Sequence, residues 1–129
     1  MARNEVYKNA DYLSLPVPTG KLSGEPVKIG GLNAVLHTNE GSVDDGNIAA
    51  YPYNKAPSSN EVGYASVALK GAFRIPVSTT TVLAIGDPVY IVPGTFVLTP
   101  VSAGNTLFGY ALSAKGATAN QPVIVRITN

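Results

Sequence analysis

Apolar residues in this chain fall into short runs, many of them alternating with polar residues, and Gly or Pro stops nearly every run. Alternation over a few residues between turn signals is the pattern of a half-buried β-strand. It predicts strands over 26–29, 32–37, 64–69, 72–77, 88–92, 95–99, 107–112 and 122–127, with a weaker one over 12–15. Lys70-Gly71, Gly86-Asp87, Pro93-Gly94 and Ala103-Gly104-Asn105 supply the turns between the later strands. The runs 88–92 and 95–99 flank Pro93-Gly94 and read as a hairpin. Residues 82–85 fit either a strand or one short helical turn, and no stretch sustains the spacing of an amphipathic helix.

The alternation also assigns faces. Val27, Ile29, Leu32, Val35 and Leu36 are early core candidates. Phe73, Ile75 and Val77 share one face with Arg74 on the other. Val123, Val125 and Ile127 point inward while Ile124 and Arg126 point out, and Ser66, Ala68 and Lys70 face away from Val67 and Leu69. The expected architecture is all-β, a small single-domain barrel or sandwich over 21–129.

Two segments stand apart from this pattern. Residues 1–20 read as an extended arm: Asn4 to Asp11 is polar, Tyr12-Leu13-Ser14-Leu15 alternates weakly, and Pro16-Val17-Pro18 favours extended backbone while withholding donors. Such a segment either lies along a surface or adds an edge strand to a sheet. Residues 38–61 form a polar loop, long for a compact domain, and loops of this length are usually functional or disordered. Within it, Ile48, Tyr51, Pro52 and Tyr53 make an apolar, aromatic tip suited either to a partner's surface or to the domain's own sheet.

Composition narrows the role. At 129 residues the chain fits one domain. Charged residues are only 13% of the sequence, about half the usual share, so much of the surface is neutral, either covered in part by a partner or a Ser/Thr/Asn-rich face toward water. The net charge of +1 comes from scattered residues, with no basic stripe to neutralise phosphates, so nucleic acid is not an expected partner. No Cys is present, which excludes disulfides and thiolate sites. The polar N-terminus does not read as a signal peptide and no run is long enough for a membrane helix, so synthesis in the host cytoplasm and no membrane partner are expected.

Catalytic chemistry finds little to work with. His37 is the one histidine, at the end of a predicted strand, and no Ser sits in a Gly-x-Ser-x-Gly elbow. Asp44-Asp45-Gly46-Asn47 lacks the ligand alternation of a calcium loop, and Lys28 to Gly31 lacks the Gly-Lys-Ser/Thr order of a phosphate loop. Asp87 and Glu61 are the acids nearest strong strands, and Asp87 reads as the cap of its own turn. No enzyme activity, cofactor or metal is expected.

Several segments, in order, resemble the phage capsid cement (head decoration) proteins. They are Asn4-Glu5-Val6-Tyr7-Lys8 with Leu13-Ser14-Leu15-Pro16-Val17-Pro18, then Ser23-Gly24-Glu25-Pro26-Val27, then Tyr64 to Gly71 with Phe73 and Ile75-Pro76-Val77, and finally Ile85-Gly86-Asp87-Pro88-Val89-Tyr90, Phe108-Gly109-Tyr110-Ala111-Leu112 and Val123-Ile124-Val125-Arg126-Ile127. The long loop 38–61 departs from the family pattern. The resemblance implies a small β-tulip-like domain on the outside of a virion. It would bind the major capsid protein at capsomer junctions as a homotrimer and stabilise the head. On that reading Val6, Tyr7, Tyr12, Leu13, Leu15, Pro16, Val17 and Pro18 of the arm touch the capsid, and Ile48, Tyr51, Pro52 and Tyr53 of the loop touch a partner. The competing class is a virion-displayed carbohydrate- or receptor-binding module, in which Tyr51, Tyr53 and Tyr64 would stack on sugars; the absence of Trp weighs against it.

Overall fold

The structure is a computed structural model, and it describes residues 11–43 and 61–129. Among the described residues every regular element is a strand: β1 (Tyr12–Pro16), β2 (Pro26–Ile29), β3 (Leu32–Leu36), β4 (Tyr64–Ala68), β5 (Ala72–Val77), β6 (Pro88–Ile91), β7 (Leu98–Thr99), β8 (Thr106–Ala111) and β9 (Gln121–Ile127). The first four form an antiparallel sheet in the order β1-β4-β3-β2. The other five close into a barrel in the order β5-β7-β6-β8-β9, antiparallel except for the β5–β7 contact.

The longest register runs between β5 and β9, from Ala72↔Arg126 to Val77↔Gln121. These strands carry the cleanest alternation, so pairing them puts Ile75, Val77, Val123, Val125 and Ile127 in the barrel and leaves Arg74 and Arg126 outside. Val89, Ile91, Leu98, Phe108 and Ala111 fill the rest of that core, since a barrel this narrow is closed by its own side chains. Gly109 lies where β8 and β9 come closest: a Cβ there would run into the Arg126 carbonyl, so no larger residue fits without the strands parting.

The sheet has a smaller core of Val17, Val27, Ala34, Leu36, Ala65 and Val67. Phe96, on the loop between β6 and β7, packs against both cores. It does so at φ 57°, a left-handed conformation unfavourable for an aromatic residue, which its contacts on both sides compensate. Polar bonds join the same two layers. Asn33, buried on β3, donates from Nδ2 to the carbonyls of Leu107 and Thr128, and Asn129 returns bonds to both the N–H and the carbonyl of Asn33.

Several local expectations are corrected. Leu32 is 40% exposed rather than in the core, because it opens β3 beside the Gly30-Gly31 turn. Ala68 is fully buried although it faces away from Val67, since it pairs with Val35 on β3, whose side chain joins the barrel core on that face of the sheet. Residues 82–85 form no helical turn; Leu83 bridges to Lys115 instead. The second strand of the predicted hairpin shrinks to Leu98–Thr99, because the turn begun at Pro93-Gly94 continues to Val97. Tyr12 to Pro16 of the arm is a paired strand, with Leu13 and Leu15 half-buried and Val17 in the sheet core, so the edge-strand alternative describes residues 12–17.

Candidate functional site

Among the described residues no group of three or more His, Cys, Asp or Glu could hold a metal ion. His37 is exposed, its ring edge-on to Tyr12 with centroids 5.5 Å apart. The Asp87 carboxylate accepts the Ala84 N–H at 2.8 Å and so caps its own turn. Glu61 lies exposed beside β4. What the molecule presents is surface, organised by two buried charges.

The first is Glu40, fully buried in the segment that leaves β3. Its carboxylate accepts N–H bonds from Gly20 at 3.0 Å, Ser42 at 2.8 Å and Gly63 at 2.7 Å, and a hydroxyl bond from Ser42. Burial alone would raise its pKa from 4.5. The bonds from Ser42, Gly20 and Gly63 outweigh burial and bring it down to about 2. The Glu40 N–H also donates to the Lys21 carbonyl, and Gly41 to Tyr64. One side chain thus ties the turn after β1 to both flanks of residues 44–60. The 38–61 loop therefore has a built root over 38–43, which no spacing in the sequence announces, because the partners are backbone amides far apart along the chain.

The second is Lys115, 1% exposed, at one end of the barrel. Its Nζ donates to the carbonyls of Thr79 at 2.7 Å, Thr81 at 3.0 Å and Gly116 at 3.1 Å. All three ammonium protons are satisfied by backbone oxygens, with no acid involved. Thr79 is held at φ 73°, an outlier for a β-branched residue, and its carbonyl takes the shortest of these bonds.

Between the layers lies a cleft of about 520 Å³ lined by Leu32, Leu69, Lys70, Tyr110 and Arg126, with Asp11 at its edge. Leu32 and Tyr110 are 40% and 42% exposed there, so the cleft offers apolar surface beside two cations. β1 borders the same region, since the Asp11 carbonyl accepts the Leu69 N–H at 2.7 Å, and it forms one edge of the sheet.

The expected contact residues separate accordingly. Tyr12, Pro16 and Pro18 are exposed along or just beyond β1, whereas Val17 lies in the sheet's own core with Leu15 packed against it, and Leu13 is half-buried. Val6 and Tyr7, and the loop residues Ile48, Tyr51, Pro52 and Tyr53, lie outside the described residues. Of the three tyrosines considered for sugar stacking only Tyr64 is described, at 36% exposure in the strand register opposite Pro16.

The sequence profile described as phage cement protein matches residues 8–127, nearly the whole chain and every strand of both layers. The chain belongs to the phage cement protein family. Comparison with curated proteins and with solved structures returned no match. Membership in the phage cement protein family supports a capsid cement role, a virion location and a structural rather than enzymatic function. Among the described residues no helix is long and apolar enough to cross a membrane.

Proposed function

We propose that this protein decorates the outer surface of an assembled phage head, binds the major capsid protein at capsomer junctions as a homotrimer, and stabilises the shell. The family match over residues 8–127 carries the reading. The physical build supports it. A closed barrel welded to a second sheet gives a body that loses little conformational freedom on binding. β1 is an edge strand, and an edge offers backbone groups for strand addition by an extended partner.

On this reading the capsid contacts come from residues 1–20: Val6 and Tyr7, together with the exposed Tyr12, Pro16 and Pro18. Ile48, Tyr51, Pro52 and Tyr53 add partner contacts from a loop whose root Glu40 fixes. Several arms on one trimer bind together, and effective concentration raises the total hold well beyond that of one arm. A ligand that binds only the assembled head stabilises it by mass action.

The test mixes purified protein with undecorated, expanded heads. Saturable binding at symmetric positions and a higher head-disruption temperature are expected. Heads that stay bare at saturating protein overturn the reading.

A further inference from the structure

Beyond residue 61 the chain carries a single acid, Asp87, against the cations Lys70, Arg74, Lys115 and Arg126. Two of these charges are already engaged. The Lys115 ammonium is buried among three carbonyls, and the Asp87 carboxylate bonds the Ala84 N–H of its own turn. Lys70, Arg74 and Arg126 are exposed.

The strand register gathers these three onto one face. Ala72 pairs with Arg126 and Arg74 with Ile124, so Arg74 and Arg126 project outward from β5 and β9 as diagonal neighbours. The Ile127 N–H bonds the Gly71 carbonyl at 2.9 Å, which lays the turn carrying Lys70 against the end of β9. Lys70 and Arg126 accordingly line the same cleft. Among the described residues none of the three cations makes an ion pair or a side-chain hydrogen bond. Asp11 and Asn129 border that cleft too, and neither carboxylate pairs with them.

Free cations are ordinary on a wet surface, but these stand beside apolar surface. Leu32 and Tyr110 are 40% and 42% exposed in the cleft, and Leu69 and Ile127 complete its lining. Arg126 has Ala72 on one side and Tyr110 on the other as direct cross-strand neighbours, which holds its stem on a rigid sheet. A guanidinium so placed offers a planar fork to a carboxylate. A small anion would use the cations and leave the apolar bed idle, and a purely apolar segment would strand the cations. The ligand complementary to both is a protein segment that mixes acidic with apolar side chains. Three cations, with no further exposed one on the barrel, neutralise too few phosphates to hold a nucleic acid.

We infer that this basic face and its cleft bind an acidic segment of the major capsid protein, with carboxylates on Lys70, Arg74 and Arg126 and an apolar side chain against Leu32 and Tyr110. The inference deepens the proposed function and rests on it for the identity of the partner. The charge and the cleft supply the chemistry of what is bound.

The experiment measures binding of the full chain to undecorated, expanded heads over a range of salt concentrations. The proteins are the wild type, Lys70→Gln, Arg126→Gln and a control, Val101→Glu, which makes the same change in net charge at the far end of β8 from Tyr110. Circular dichroism and a thermal melt confirm each fold. A labelled peptide of alternating Glu and Leu, titrated into the free proteins, is the second probe. Wild type and control are expected to bind heads alike. Each Gln variant is expected to bind about tenfold more weakly, with a shallower salt dependence, and to lose peptide affinity in parallel. Folded Gln variants that bind heads like wild type overturn the inference and leave decoration standing. Heads that no protein binds sink decoration; the acid-binding face then stands if the Gln variants alone lose the peptide, and falls if all four proteins treat it alike. An oligonucleotide that binds wild type more tightly than the peptide gives the face to nucleic acid and also overturns the inference.

Discussion

Around the four-stranded sheet, charged side chains stand at or near the surface, with Lys21 and Glu25 paired at 3.1 Å and Lys28, Glu61 and Lys70 nearby. Around the barrel, Arg74 and Arg126 stand outside on β5 and β9, the Asp87 carboxylate bonds the Ala84 N–H, and Lys115 alone is pulled inside. Both layers bury one ionised side chain, and both satisfy it with backbone groups instead of a counter-ion. The sheet buries an acid and collects amides, at the base of the one long connection. The barrel buries a base and collects carbonyls, and stiffens the strip that carries Ile85. The difference teaches what each buried charge holds: the sheet's acid fixes the root of a long connection, and the barrel's base fixes the strip that runs from Thr79 to Leu83.

The strongest way to break this comparison is to put a charge into the barrel. Val125 is fully buried, opposite Phe73 on β5 and Ala111 on β8. Val125→Asp leaves a carboxylate with no donor in an apolar core, a cost of several kcal/mol against a total stability of about 5–15 kcal/mol for a domain. The variant is expected to unfold, read as loss of the near-ultraviolet dichroism and of a cooperative melt. A soluble, cooperatively melting Val125→Asp would show that the barrel interior is wet and the two layers are alike.

Replacing the cation that the barrel already hides has a smaller effect. Lys115→Met keeps most of the stem and removes the three bonds from Nζ, leaving the carbonyls of Thr79, Thr81 and Gly116 to find water. Unsatisfied buried acceptors cost about 1–3 kcal/mol in such series. The left-handed Thr79 is expected to relax at the same time, because the bond that held its carbonyl is gone. Chemical denaturation measures the loss. Amide exchange localises it: the N–H groups of Leu83 and Gly86 should exchange faster while those of β3 and β4 keep their protection. Equal loosening of both layers would deny Lys115 its local role.

Much of the barrel was legible from the sequence and much of its chemistry was not. β5 and β9 alternate so cleanly that Ile75, Val77, Val123, Val125 and Ile127 could be placed inside from the pattern alone. Tyr12 to Leu15 alternates too, but an edge strand needs only one partner, and the prolines that follow read equally well as an arm. Leu98 and Thr99 sit in a run that looks like a full strand, yet the chain turns through Val97 and leaves only those two paired. Glu40 and Lys115 were invisible because backbone amides and carbonyls carry no residue identity, so no spacing can reveal them. Lys115 alone left a trace, as the single cation in a long uncharged stretch. Ile85 was hidden by ambiguity: the same apolar run that suggested a strand or a helical turn buries Leu83 and ends in a tight turn with Ile85 outside.

The sheet's own buried charge gives the smallest and most local effect. Glu40→Gln keeps one acceptor oxygen but points an amide NH₂ either at the Gly20 N–H or at the N–H groups of Ser42 and Gly63, which share the other oxygen. The expected loss is about 1 kcal/mol, concentrated at the root of the 38–61 loop. The acid dependence has a definite sign. The folded carboxyl has its pKa at about 2, below the ordinary 4.5, so it stabilises the root fully above about pH 4.5 and loses that contribution as pH falls toward about 2. The uncharged Gln has no such titration. Amide exchange at Gly20 and Gly63 should therefore differ between wild type and variant at pH 6, with the difference shrinking as pH falls through that window. A difference that persists unchanged to pH 2 would mean that the shape of the side chain, rather than its charge, holds the root. The parallel between the two buried ions would then fail, because the sheet would be using Glu40 as packing where the barrel uses Lys115 as a cation.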